Sequence, residues 1–250
     1  MPGIKKQKRV VGGSAAERGL DFQARVSAVV MAHLIAERPI GWLNGVLKDL
    51  PVELDAETGG PGDDVRFVTG EGKRIELQAK RGLQRGGDLW EALLALAEGL
   101  SADHIHAGVL AVCPNSSATI RETLAEDIVR LGNGRSDGLR EIGRDFSSKL
   151  AGSAFDPRVV CSRIRIVVVS AVDGNRESEA TASERLARIC QDPQVAWTSL
   201  VEFGRQLIRV RGKATPEQIC RHLSLEPPRL LRRLQLLRRW SHEEVEQVLA

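Results

Sequence analysis

Residues 63–82 read DDVRFVTGEGKRIELQAKRG, two runs in which apolar and polar side chains alternate, joined by Gly-Glu-Gly. Alternation with a period of two marks a half-buried β-strand, and the glycine-bracketed joint marks a hairpin. The period then changes. GDLWEALLALAEGL (87–100) carries a helical apolar stripe, with Asp88 placed to act as its N-cap. HAGVLAVC (106–113) is a short buried strand stopped by Pro114. Strands bracketed by helices in this way define an α/β core with a mixed central sheet flanked by helices.

The flanks extend that pattern. Leu20, Val26, Val29, Val30 and Ile35 recur at helical spacing until Pro39 and Gly41 end the run, WLNGVLKDL reads as a short helix, and PVELD (51–55) alternates as a strand. Helices are expected at 117–131 and 137–150, and VVCSRIRIVVVSAV (159–172) is the most strand-like run in the chain. Everything after DGNRES reads as helix, at 178–191, 194–211, 215–223 and 227–249. The expected organisation is a flexible basic arm over 1–15, an α/β core over 16–175 and a helical C-terminal subdomain over 176–250.

Composition excludes several classes. Of 250 residues 42% are apolar and 28% charged, an ordinary globular balance that needs no staples. The net charge of +3 is too small to argue for nucleic acid, although KKQKR (5–9) and RLLRRLQLLRRW (229–240) concentrate basic residues at the two ends. Cys113, Cys161, Cys190 and Cys220 form no CxxC or CxxH pair, which leaves structural zinc and a disulfide framework without support. Scattered thiols fit a reducing cytosol. No apolar stretch is long enough to span a bilayer and no signal-peptide core is present, so the expected setting is cytoplasmic, with no membrane. GxSxG, P-loop and GxGxxG patterns are absent.

The chemistry sits on the hairpin. Residues two apart on a strand share a face, so Glu76, Gln78 and Lys80 point one way and Ile75, Leu77 and Ala79 the other. Pairing the apolar faces puts Asp64 beside Gln78 and Lys80. A hard cation such as Mg²⁺ takes oxygen ligands, which Asp64, the Gln78 amide and the Ala79 carbonyl can offer, with Glu53 or Glu57 completing the shell. Lys80 could then orient a metal-activated water or stabilise charge on a phosphate. A plain solvated strand face has the same composition.

DDVRF…IELQAKRG resembles the PD-(D/E)xK nuclease superfamily in its QxK variant: Asp64, then Gln78-Ala79-Lys80. Gly19, Phe22 and Gln23 in the first helix, GDLWEALLALAEG, and LARICQDPQVAWTSLVEFGRQLIRVRG are similar to one branch of it, over roughly residues 16–225. That branch holds the double-stranded DNA endonuclease effectors of bacterial anti-phage systems, both CBASS effectors and the nuclease domains of NTPase-type phage sensors. The resemblance implies a restriction-endonuclease-like core and a magnesium- or manganese-dependent DNA endonuclease. Asp64, Gln78 and Lys80 would be its catalytic residues, Glu53 would join Asp64, Gln78 and Ala79 around the metal, and Gln23 would face the site. Asp63 and Glu76 are secondary candidates; strand parity favours Asp64 over Asp63. Double-strand cleavage implies a homo-oligomer, or a complex with a sensor or NTPase module.

Arg81 and Arg85 follow the QxK strand as phosphate-gripping cations or as plain surface charges. His104 and His106 lack a third metal ligand, and helix capping accounts for Ser116 and Ser117. ATPEQICRHLSLEPPRLLRRLQLL is faintly like a helix-turn-helix. The rival reading is a catalytically silent adaptor on the same fold that binds DNA or a partner; an RNase is a further alternative.

Overall fold

The computed structural model describes residues 12–47, 50–57, 59–60, 62, 64–172 and 174–225. Six strands, β1 (Pro51–Ala56), β2 (Val65–Thr69), β3 (Arg74–Lys80), β4 (Ala107–Val112), β5 (Ile164–Val168) and β6 (Lys213–Ala214), form one sheet in the order β5-β4-β3-β2-β1-β6. The β2–β3 hairpin is antiparallel, with Arg66 opposite Glu76 and Val65 opposite Leu77, whereas β3, β4 and β5 run parallel. This is the mixed α/β sheet expected from the period changes.

Helices cover both faces. On one side lie α1 (Gly12–Ile35), α6 (Glu177–Leu186), α7 (Pro193–Val210) and α8 (Pro216–Leu225); on the other lie α2 (Gly87–Ser101), α3 (Ala125–Gly132), α4 (Glu141–Gly152) and α5 (Pro157–Arg163). β4 is buried throughout because it serves both cores. Ala107, Val109 and Ala111 pack toward α1, while Leu110 and Val112 pack toward α2. From Phe22 to Leu34, α1 is apolar on nearly all sides, as a helix enclosed between the sheet and α6–α8 must be. The four cysteines are buried, and none is in a disulfide.

Several expectations change. The proposed split at residue 175 does not divide the core: Ala182, Leu186, Leu200 and Ile219 share one apolar cluster with α1 and the sheet. Residues 213–214, expected in a helical region, add strand β6 beside β1. α1 starts at Gly12, so residues 12–15 belong to it and not to an arm; residues 1–11 and the basic helix expected at 227–249 lie outside the described residues. VVCSR is helix α5, because Asp156 accepts bonds from the Arg158 and Val159 amides and Pro157 occupies the first turn. Where WLNGVLKDL was expected to be a short helix, the described residues have a 3₁₀ turn at its start, Gly41–Leu43.

Candidate functional site

The candidate site forms where the hairpin opens. The last paired residues of β2 and β3 are Val65 and Leu77. Beyond them the Ala79 N–H, still a donor in need of a partner, bonds the Asp64 carboxylate at 2.7 Å. That bond leaves Asp64 Oδ2 3.7 Å from Lys80 Nζ, with both side chains partly exposed.

The segment between β1 and β2 supplies the rest. Glu57, at a positive φ of 53°, donates its N–H to the Asp64 carbonyl at 3.0 Å. Gln23 reaches in from α1, and its Nε2 donates both to Glu57 Oε1 at 2.9 Å and to that same carbonyl at 2.8 Å. One buried amide thus ties Glu57 to the residue carrying the second carboxylate. Together with Ala79, Lys80 and Arg81 these groups line an open cavity of about 670 Å³, bordered by Arg18, Asp88 and Asn115.

Beneath the segment lies Glu76. Fully buried, it accepts from Arg66 Nε at 2.9 Å and from the Gly62 N–H at 2.6 Å. A Cβ on Gly62 would sit 2.8 Å from the Glu76 Cβ and 3.0 Å from a Leu96 methyl, and one on Gly60 would collide with the Glu76 carboxylate. Only glycine lets the chain lie this close to the ion pair.

The expected residues therefore separate. Asp64, Lys80, Ala79 and Gln23 come together. What Ala79 brings is its N–H, holding Asp64. Glu53, expected at the metal, is at the far side of β1 and pairs with Lys213 at 3.1 Å; Glu57, just past the end of the strand, lies in the cavity instead. Glu76 is a structural ion pair away from the cavity, because Gly60 and Gly62 lie against it. Gln78 opens into an adjoining hollow of about 390 Å³ with Glu91, and Lys80 and Asp88 border both spaces. Asp63 lies outside the described residues. Arg81 lines the cavity, but Arg85 turns to Glu141 at 2.8 Å and to Asp145 on α4, and these carboxylates raise its pKa.

Two residues sequence reasoning assigned otherwise also serve the site. Gly86, not Asp88, precedes α2, and Asp88 is free of capping duty to border the cavity. Ser116 caps no helix: its hydroxyl accepts from the Leu83 N–H at 3.0 Å and ties the segment after β3 to the turn after β4. Their signal was adjacency to the ends of parallel strands β3 and β4, where α/β sheets place ligands. Among the described residues, no group of three or more His, Cys, Asp or Glu side chains is placed to hold a metal ion. No helix among them is long and apolar enough to cross a membrane.

No family model matches the chain, and no curated protein matches it. Its fold is similar to solved structures of the Acinetobacter baumannii Cap4 SAVED/CARF-domain containing receptor. With the cyclic trinucleotide 3'3'3'-cAAA the identity is 10% and the TM-score 0.54, over 92% of this chain and 49% of that one. With 2'3'3'-cAAA the values are 10% and 0.52, over 89% and 47%. The likeness is one of fold, and the chain spans about half the length of those receptors.

Proposed function

We propose that this chain is a divalent-metal-dependent nuclease that hydrolyses DNA phosphodiesters as the effector of an anti-phage defence system. The observation that carries the reading is the Asp64 carboxylate, fixed by the Ala79 N–H beside Lys80 and linked through Gln23 to Glu57, at the wall of an open cavity. The defence role rests on the motif resemblance, and the fold likeness to Cap4 receptors is in keeping with it.

Magnesium fits this donor set. It keeps several waters and needs one or two protein carboxylates rather than a full cage. Asp64 and Glu57 would hold it, and Mn²⁺ could replace it. When bound, such an ion acidifies a water and offsets charge on the phosphate. Gln23 keeps the two acidic residues in register, and the Ala79 N–H sets the Asp64 rotamer. Lys80 puts a cation where negative charge develops on the phosphoryl oxygens. Arg81 and Arg18, at the cavity wall, are placed to meet the flanking phosphates. Cutting both strands of duplex DNA takes two such sites, hence a homo-oligomer or a complex with a sensor module.

A second reading, a non-cutting module that binds DNA or a partner, is favoured by two observations. The similar structures are receptors, two of them holding cyclic trinucleotides, and the neutral Gln78 opens into the adjoining hollow. Incubating plasmid with the protein in Mg²⁺, in Mn²⁺ or in EDTA separates the readings, with an RNA substrate in parallel. Metal-dependent nicking that disappears in Asp64→Asn and Lys80→Ala supports the enzyme. Plasmid binding that persists in EDTA and in both variants, with no nicking at any protein concentration, supports the binding module.

A further inference from the structure

A second cavity, of about 590 Å³, lies on the other side of the Pro114–Ser116 turn, past the ends of β4 and β5. Pro114 lines this cavity and Asn115 lines the candidate active site, so one turn separates the two. Its volume is that of a small-molecule site, and its position is the one where parallel α/β sheets receive ligands.

The lining is cationic and built from separate elements. Arg121 comes from the π-helical segment Thr119–Leu124 that leads into α3, Arg185 from α6, His33 from α1 and Trp42 from the turn after α1, with hydroxyls from Ser170 and Thr181. Arg121 is held ready by a 2.8 Å bond from its Nε to the Ser116 carbonyl. The Arg185 Nε is buried and finds no hydrogen-bond partner among the described residues, an orphaned donor at the wall of a cavity. His33 is buried, and its Nδ1 lies 3.1 Å from the Pro39 carbonyl. A carbonyl can only accept, so Nδ1 carries a proton and donates to it. Glu177 is the single carboxylate among the described lining residues.

We propose that this cavity binds a nucleotide. Two guanidiniums match a phosphate, Trp42 offers an indole wall to a base, and His33 with the hydroxyls suits sugar or exocyclic amino groups. The site needs none of the residues assigned to phosphodiester cleavage, so it stands or falls separately from the nuclease reading.

Isothermal titration of the full chain with AMP, GMP, CMP and UMP tests it. The expected result is saturable 1:1 binding of at least one, with Kd below about 1 mM, and weaker binding of the matching nucleoside. Binding should persist in Lys80→Ala, which assigns it to this cavity and not to the candidate active site. Arg185→Gln and Arg121→Gln should each weaken it about tenfold or more, with circular dichroism checking that each variant folds. Absence of saturable binding for all four nucleotides overturns the proposal. So does binding that Lys80→Ala removes, or that either well-folded arginine variant leaves intact.

Discussion

Two acid–base pairs lie on one hairpin face, and they have opposite characters. Glu76 and Arg66 sit directly across from each other in β3 and β2, the carboxylate wholly buried and capped by the Gly62 N–H. Asp64 and Lys80 stand where the strands part, 3.7 Å from each other and partly exposed. The first pair is closed by Gly60 and Gly62, which lie against it; the second is left open to the cavity that Glu57 also lines. A buried pair fixes geometry and an exposed one is available for chemistry, and here the closed pair anchors the open one.

The largest effect should come from breaking the closed pair. Arg66→Ala leaves a buried carboxylate without its cation, and the expected loss is about 3–5 kcal/mol in urea unfolding. A loss below about 1 kcal/mol, within the range of surface pairs, would show that Glu76 is not the anchor. The open pair should behave the other way. Lys80→Ala is expected to change unfolding by less than about 1 kcal/mol while lowering plasmid cleavage about 100-fold or more. Equal losses in stability and cleavage would erase the distinction between the pairs. Between these extremes lies Gly62→Ala, which places a methyl against Glu76 and Leu96 and should cost about 1–3 kcal/mol, read by the same unfolding curve.

How much of this was legible follows from the same comparison. Strand parity put Arg66 on one face with Glu76, Gln78 and Lys80, and the observed register has them there; Asp64, placed on that face by parity too, lies just before β2 and outside the register, where its carboxylate meets the Ala79 N–H. Parity cannot say which members of a face are covered. That depends on how closely Gly60 and Gly62 approach Glu76, which a loop-like sequence does not disclose. The choice of Glu57 over Glu53 depends on where β1 ends and on the Gln23 contact, which spans 34 residues. The α5 misreading is of another kind. Val159 and Val160 read as strand, but Asp156-Pro157 is a helix start whose chemistry was visible and was outweighed by β-branched residues. Strand β6 has two residues and exists because β1 offers an edge to pair with, a tertiary cause that leaves no local pattern.

A third acid–base group, about as exposed as the open pair, joins α1 to α7. Asp21 on α1 bonds Arg25 at 2.9 Å and Arg205 on α7 at 2.5 Å. Burial alone would raise its pKa, and the two guanidiniums more than reverse this and hold it below the usual value. His33, further along α1, is also lowered, first by burial and then by the charge of Arg185. For both groups the unfolded chain binds the proton more readily, so each contribution to stability is full above the unfolded pKa and is lost as pH falls through the folded one. The windows differ. His33 acts below about 6.5 and Asp21 only below about 3.9. The melting temperature should therefore drop on going from neutral to mildly acidic pH, and His33→Gln should flatten that slope while Asp21→Asn should not. If Asp21→Asn flattens it instead, the α1–α7 contact and not the His33 pocket sets the acid response.

The smallest contrast concerns the two arginines that follow β3. Arg81 lines the candidate site, and Arg85 lies away from it, paired with Glu141 and Asp145 on α4. A cation held by two carboxylates has little left for a phosphate, since a new contact must first break the old ones. Arg81→Ala should weaken plasmid binding and lower the dependence of log affinity on log salt by about one unit, the loss of a single phosphate contact. Arg85→Ala should leave both the affinity and the slope where they were. If Arg85→Ala lowers the slope as well, α4 releases that arginine when DNA binds, and position at the cavity wall is not what decides which loop arginine meets a phosphate.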